Sequence, residues 1–447
     1  MKSEDKKGIM PVLKQSRVCL AGRLNARQGL NHKELPSSQW YPIEMSEELF
    51  IKLQRTYYPS LLTSMNTIAG NKKQSVYCYE MIITGGSDNL VHLPQKDNKK
   101  NHYPCNIKSV RLWFFKFDII LFSIEIEEHT DSFSDLTLMH SKWKKWNEEY
   151  NAIHTEGLDN LLKPLAQLTP NGLASDITFA GTKMRQYQVI ESNVLNDDLL
   201  YEIGTFSTIG VVNDGNYTRS YKPSDDYYQK IIKENVLSAY SNWKALALND
   251  SFTVMALDDY YSKSEFDEYD EKGCLSDTGY RYFDLLYMRC LFEEFYCFDR
   301  NNSYREFDDN NSKKIDSEKI ENEIAYIEQH YFFEDMSYDF LPPLIYHAMA
   351  KGLDLQRDRE QLTQHVKQSL RDARHERDSR AVNFVQIFAA VSVIWTIREM
   401  FAKIWTCLDS NVIFAAVFAI VALGSTILLL IYPQFFTKLF HRSKDKI

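Results

Sequence analysis

The sequence predicts an α+β cytoplasmic domain followed by a long stalk helix and two C-terminal transmembrane helices, assembled as a homo-oligomer. Three observations carry that fold class. Two long apolar runs, residues 382–397 and 412–432, lie near the end of the chain. No proline or glycine occurs from Leu353 through Trp405, so one helix is expected to run into the first apolar run without a break. Upstream, stretches of alternating aromatic and β-branched residues give way to stretches with helical spacing, as a mixed body requires.

The second apolar run is about 31 Å long at 1.5 Å per residue and matches a hydrocarbon core of about 30 Å. The first is about 24 Å long, so it must borrow residues 400–405 beyond Arg398 and Glu399 or sit where the bilayer thins. Arg371, Arg374, Arg377 and Arg380 precede the first run, and Lys438, Arg442, Lys444 and Lys446 follow the second. The segment between them carries two basic and two acidic residues. This bias predicts a multi-pass protein of the inner membrane with both termini in the cytoplasm. The expected parts are a cytoplasmic α/β sensor domain (1–280), a helical hairpin region (281–351), the stalk helix (352–380), transmembrane helix 1 (381–405), an outer loop (406–411), transmembrane helix 2 (412–432) and a basic cytoplasmic tail (433–447).

Residues 1–70 give a weak reading. From there a strand is expected at 75–84, a turn at 85–88 and an exposed loop at 95–102. The clearest β pattern covers 110–117 and 119–127, where Ile120, Phe122, Ile124 and Ile126 alternate with Ser123, Glu125 and Glu127 about a turn near Asp118. Helices are expected at 134–150 and 158–168, a second β region at 184–212 with Gly204 as a turn residue, a helix at 226–240, and a tight hairpin at 245–257 turning at Asn249-Asp250. The acidic, tyrosine-rich stretch 258–271 is read as a loop that could instead hold a divalent cation, although its spacing fits no coordination loop. Leu285, Met288, Phe292, Phe295 and Phe298 mark one side of a helix at 281–300, with Arg289, Glu293 and Glu294 mainly elsewhere and the polar stretch 301–314 ending it. Ser317 is placed to cap the next helix, and Pro342-Pro343 closes this block of helical pieces. On the stalk, Leu355, Leu362, Val366, Leu370 and Ala373 make a narrow stripe that suits helix-to-helix packing between copies of the chain.

Composition excludes several classes. The net charge is −9, and residues 351–447 alone are +5, so the rest is −14 and a nucleic-acid partner is not expected. The seven cysteines form no C-x-x-C pair and no histidine pair sits at zinc spacing, so free thiols and no metal centre are expected. No Gly-rich phosphate loop, no Gly-x-Ser-x-Gly elbow and no paired-histidine motif occurs, so no catalytic residues and no enzyme are expected. Arg185, Arg219 and Lys222 could contact ligand phosphates, yet nothing in the sequence separates them from surface charge.

The order of these parts resembles the CorA family of divalent-cation transporters. The local match is Ala381-Val382-Asn383-Phe384-Val385-Gln386, which looks like the Asn-aromatic-hydrophobic stretch that opens that family's first span. The layout is similar over roughly residues 280–447. The resemblance implies a homopentamer whose first spans line a central pore. The family's Gly-Met-Asn signature is absent, the chain reading Ile397-Arg398-Glu399-Met400 at that place. The large divergent body is more similar to the CorA-like membrane effectors of type III CRISPR systems, which bind a nucleotide messenger, an S-adenosylmethionine–AMP conjugate (SAM-AMP), and disturb the membrane during phage infection. The resemblance thus implies a small nucleotide ligand, with a divalent cation as the other candidate. The expected function is a ligand-gated effector or channel that permeabilises the inner membrane. The alternatives are a CorA-like magnesium transporter and a membrane-anchored scaffold that does not conduct.

The residues that would carry conduction share one helix face: Asn383, Gln386, Ala390, Val393 and Ile397. They are read either as pore-lining, with Val393 and Ile397 gating by dewetting, or as polar groups bonding between helices. Ser392 and Thr396 lie opposite and are expected to bond back to the backbone. Arg398 and Glu399 are read as an outer-mouth ring or as interfacial charges. Which residues bind the ligand is not legible from the sequence, and the pocket is sought in residues 1–280.

Overall fold

The clearest sequence pattern folds as a β-hairpin, β5 (Lys100–Phe115) and β6 (Ile120–Glu128), dense in β-branched and aromatic residues. Its turn places Phe117 and Asp118 at φ 63° and 61°, the left-handed region that suits tight hairpins. The phenylalanine is a costly choice there, and its ring is held between Tyr296 and Tyr326 at 5.8 and 5.6 Å.

The computed structural model describes residues 11–26, 32–35, 37–38, 40–68, 75–81, 89–94, 100–144, 177–206, 223–257, 277–309, 317–331, 336–407 and 422. The chain divides into two units, Met1–His365 and Val366–Ile447. In the first, the other strands are β1 (Leu13–Ala26), β2 (Trp40–Pro42), β3 (Val76–Met81), β4 (Asn89–Pro94), β7 (Ile177–Ser192), β8 (Val236–Tyr240), β9 (Trp243–Ala247) and β10 (Ser251–Leu257). They form one ten-stranded sheet in the order β2-β3-β5-β6-β1-β7-β10-β9-β8, with β4 paired to β5. Every pairing is antiparallel except β7 with β10. A parallel neighbour needs a long crossover. Here it includes α4 (Asp197–Thr205) and α5 (Asp225–Asn235).

One face of the sheet is apolar. Val18, Leu20, Val110, Leu112, Phe122, Ile124 and Ile126 pack with Met139 of α3 (Phe133–Lys144), and Leu199, Leu200 and Ile203 of α4 extend the core over Ile190 and Met255. The other face meets α6 (Asp277–Asp309), where Phe292 stacks on Phe115 at 4.5 Å and Tyr187 contacts Phe283 and Tyr287. That second face is polar and still buried. Arg17 pairs with Glu125 at 2.9 Å, Ser109 donates to Glu125, Arg111 pairs with Glu80 at 2.7 Å and lies 3.7 Å from Asp284, and Arg23 pairs with Asp299 at 2.8 Å.

Several expected boundaries shift, each for a local reason. Among the described residues of the 184–212 region the strand ends at Ser192, because the Asn196 side chain accepts from the Asp198 N–H and starts α4, with Asp197 and Asp198 favourable in its first turn. Gly204 lies inside that helix, where a Cβ would come within 2.7 Å of Leu246. The 226–240 helix ends at Asn235 and continues as β8. Lys100, Asn101 and His102 belong to β5, paired with β4, rather than to a loop. Residues 301–309 prolong α6 instead of breaking it. Asn301 is buried there, donating to the Asp358 carbonyl at 3.2 Å and facing His365 at 3.1 Å. Leu285, Met288 and Phe292 are buried as the expected side requires, but Phe298 is 54% exposed and Arg289 and Glu293 are also fully buried, so α6 is covered on more than its apolar side. Pro342 and Pro343 open α8 (Leu341–Gly352) rather than closing a block, since proline is tolerated where the first helical N–H groups lack partners anyway. The 245–257 hairpin is β9 and β10. The helix expected at 158–168, the loops 85–88 and 258–271, Arg219, Lys222, and residues 412–421 and 423–447 lie outside the described residues.

The remaining helices are α1 (Glu47–Leu53), α2 (Pro59–Met65), α7 (Ser317–His330) and α9 (Leu355–Cys407). Gly352 ends α8 against β9, and a Cβ there would lie 2.8 Å from the Ala247 carbonyl carbon and 2.9 Å from Leu248 N. Those neighbours are backbone and cannot turn aside. Gly352→Ala is therefore expected to destabilise the fold by about 1–3 kcal/mol despite alanine's better helix propensity. A raised denaturation midpoint in this variant would contradict that packing.

Candidate functional site

The corner between α8 and α9 builds the site. Asp354 takes φ 57°, its N–H bonds back to the Lys351 carbonyl at 3.1 Å, and its carboxylate pairs with Arg357 at 2.6 Å. The chain thereby leaves one helix and starts another with Tyr346 beside Arg359. A cavity of about 640 Å³ opens here, walled by Tyr296 and Cys297 of α6, Ile324 and Ile327 of α7, Tyr346, Ala350 and Lys351 of α8, and Gln356, Arg359, Leu362 and Thr363 of α9. Its size lies within the range of small-molecule sites, roughly 300–1,000 Å³.

The polar wall is organised on Glu293. Arg359 Nη2 contacts its Oε2, Arg289 Nε lies 3.7 Å from its Oε1, and Tyr346 Oη donates to it at 3.0 Å while accepting from Arg359 at 2.9 Å. The Arg289 guanidinium also sits 4.4 Å above the Tyr346 ring, a cation–π contact. Burial would lower the Arg359 pKa, but Glu293 outweighs it and holds the guanidinium charged. Burial and then Glu293 push the Tyr346 hydroxyl up, so it remains a donor at neutral pH. The same two causes push Cys297 up to about 12, and burial leads in raising Cys290. Both thiols stay protonated and are poor nucleophiles. Two guanidiniums on one carboxylate leave this trio with a charge of +1. Glu328, Asp354 and Lys351 line the same cavity, so with Glu293 its three cations face three carboxylates.

A second buried cluster has catalytic residue types without catalytic geometry. Ser16 Oγ donates to Glu128 at 2.6 Å and His140 Nε2 meets the same carboxylate oxygen at 2.8 Å. The serine therefore gives its proton to the carboxylate rather than to the imidazole, and all three residues are almost fully buried. Among the described residues no group of three or more His, Cys, Asp or Glu could hold a metal ion.

In the second unit, residues Ala381–Glu399 form an apolar helical stretch with mean hydropathy 1.5, none of it buried. It carries Asn383, Gln386, Ala390, Val393 and Ile397 on one stripe of a continuous helix. The hydroxyls of Ser392 and Thr396 donate to the Phe388 and Ser392 carbonyls, both at 2.8 Å. Arg398 lies 5.4 Å over the Trp395 ring, and Glu399 is exposed. Arg185 meets Glu294, its Nε and Nη2 donating to the two oxygens of that carboxylate.

The cavity was not legible as a site, because its walls come from four helices between residues 289 and 363, beyond the 1–280 region where a pocket was sought. The available signal was Arg289 and Glu293, a charged i, i+4 pair inside an otherwise aromatic helix. No protein-family model, curated protein or solved structure matches the chain.

Proposed function

We propose that this chain is a ligand-gated membrane effector of the CorA-like type: a small nucleotide messenger binds the cytoplasmic body, and membrane helices from several copies permeabilise the inner membrane. The observation that carries the reading is α9. This single 53-residue helix supplies cavity wall in its first turns and the apolar stretch Ala381–Glu399 further on.

A soluble protein does not leave such a stretch bare. Phe384, Val385, Ile387 and Phe388 are each more than 60% exposed. Keeping them in water would forgo about 1.5–3 kcal/mol per large side chain, which a hydrocarbon environment returns. The absence of Gly and Pro between ligand-facing and membrane-facing residues supports coupling through one helix, since neither residue is there to act as a hinge. The basic residues before residue 381 and after residue 432 support both termini lying inside.

The test is flux from liposomes containing the purified protein, at fixed magnesium, with and without nucleotide messengers of the SAM-AMP class. Dye or ion leak that appears only with the nucleotide is expected. Magnesium flux without nucleotide would replace this reading with the transporter, and no flux under either condition would leave the scaffold.

A further inference from the structure

We infer that His92 of β4 and His102 of β5 form a two-histidine site for a divalent transition-metal cation of the zinc, copper or nickel class, and that the metal staples the two strands together. The strand register makes these two residues direct partners, with Leu90 and Pro104 paired on one side of them along the same face and Pro94 and Lys100 on the other.

Register supplies the chelate. Residues directly opposite each other in an antiparallel pair share a face, with Cβ atoms about 4.5–5.5 Å apart. A metal held at about 2.0–2.1 Å from an imidazole nitrogen of each fits two histidines so placed and takes water at its remaining positions. Cys105 pairs with Asn89, an odd number of rows from the histidines, and so belongs to the other face. The composition of the ribbon selects the cation. Neither strand carries Asp or Glu, so hard magnesium and calcium find no carboxylate in them, whereas imidazole suits zinc, copper and nickel. The same ribbon gains from a staple. Residues 100–104 pair with β4 alone, because β6 joins β5 only from Cys105 onward and β3 only from Arg111. Two strands without further neighbours are marginally stable in water, and Pro94 and Pro104 have no N–H to give to the ladder.

The experiment is calorimetric titration of the full chain in detergent, stripped of metal with a chelator, with zinc and separately with magnesium. Zinc is expected to bind about tenfold or more tightly than magnesium. His92→Ala and His102→Ala are each expected to weaken zinc binding by about tenfold or more, and the double variant no further than either single one, because a chelate is lost with its first ligand. Asn101→Ala, on the other face of the ribbon, leaves zinc binding unchanged. Amide hydrogen exchange reads the staple. Zinc is expected to slow exchange across residues 89–105 by about tenfold or more in the parent and in neither histidine variant. If an alanine variant does not fold, the parent decides: zinc-dependent protection centred on residues 89–105 assigns the metal to the ribbon, and protection elsewhere overturns the site. Zinc affinity unchanged in either histidine variant, magnesium bound as tightly as zinc, or exchange at residues 89–105 that ignores zinc would overturn it as well.

Discussion

Replacing Glu293 with alanine is expected to lower the unfolding free energy by about 3–5 kcal/mol, the cost of breaking a buried ion pair by deleting one partner. Glu293 is fully buried and is the carboxylate that Arg289, Arg359 and Tyr346 share. Its loss leaves the Arg289 guanidinium in the same buried place without that partner. Glu293→Gln keeps an acceptor and loses only charge, so a smaller loss of about 1–3 kcal/mol is expected. In the double variant Glu293→Ala with Arg289→Met, much of the loss returns, because both charges leave the interior together. Denaturant titration of the full chain, followed by near-UV circular dichroism, reads all three. A loss below about 1 kcal/mol in Glu293→Ala would mean that the trio is solvated in solution.

The difference between what the sequence told and what it did not is physical. Local signals were legible: the period-two alternation at 120–127 marks the apolar face of β6, and the turn at Asp118 falls where two residues take positive φ. The long helix was legible too, because an absence of Gly and Pro is a property of adjacent residues. What covers the second sheet face was not. Alternation puts Glu125 and Ser123 on the polar face, yet Glu125 is 3% exposed because β1 brings Arg17 to it while α6 covers that face. Period two identifies one apolar face and is silent about long-range charges that make the other face buriable. Tyr201 and Ile203 misled in the opposite way, since strand-forming residues were overridden by an Asn196 cap and by burial of Leu199, Leu200 and Ile203 along a helix. For the candidate site, the stripe proposed to line a pore is a pattern within one helix and could be written down directly. The cavity required knowing that α6, α7, α8 and α9 meet.

The double variant Asn383→Leu with Gln386→Leu is expected to bring ligand-dependent leak down to that of protein-free liposomes. Both residues stand on the stripe with Ala390, Val393 and Ile397, polar at its start and apolar further along. If that stripe faces an aqueous path, the two amides are the groups that keep its entrance wet, and leucine in their place extends the apolar constriction and dewets it. Ser392→Ala is the matched control, because the Ser392 hydroxyl is already satisfied by the Phe388 carbonyl on the other side of the helix, and its leak should be unchanged. Interhelical hydrogen bonding by the same amides predicts a different failure. Each such bond is worth about 0.6–2 kcal/mol in a membrane, so its loss lowers the population of assembled oligomers and the leak together. Crosslinking in the liposomes separates the two. Retained oligomers with no leak place Asn383 and Gln386 in the conduction path, whereas leak that survives in the double variant removes both from it.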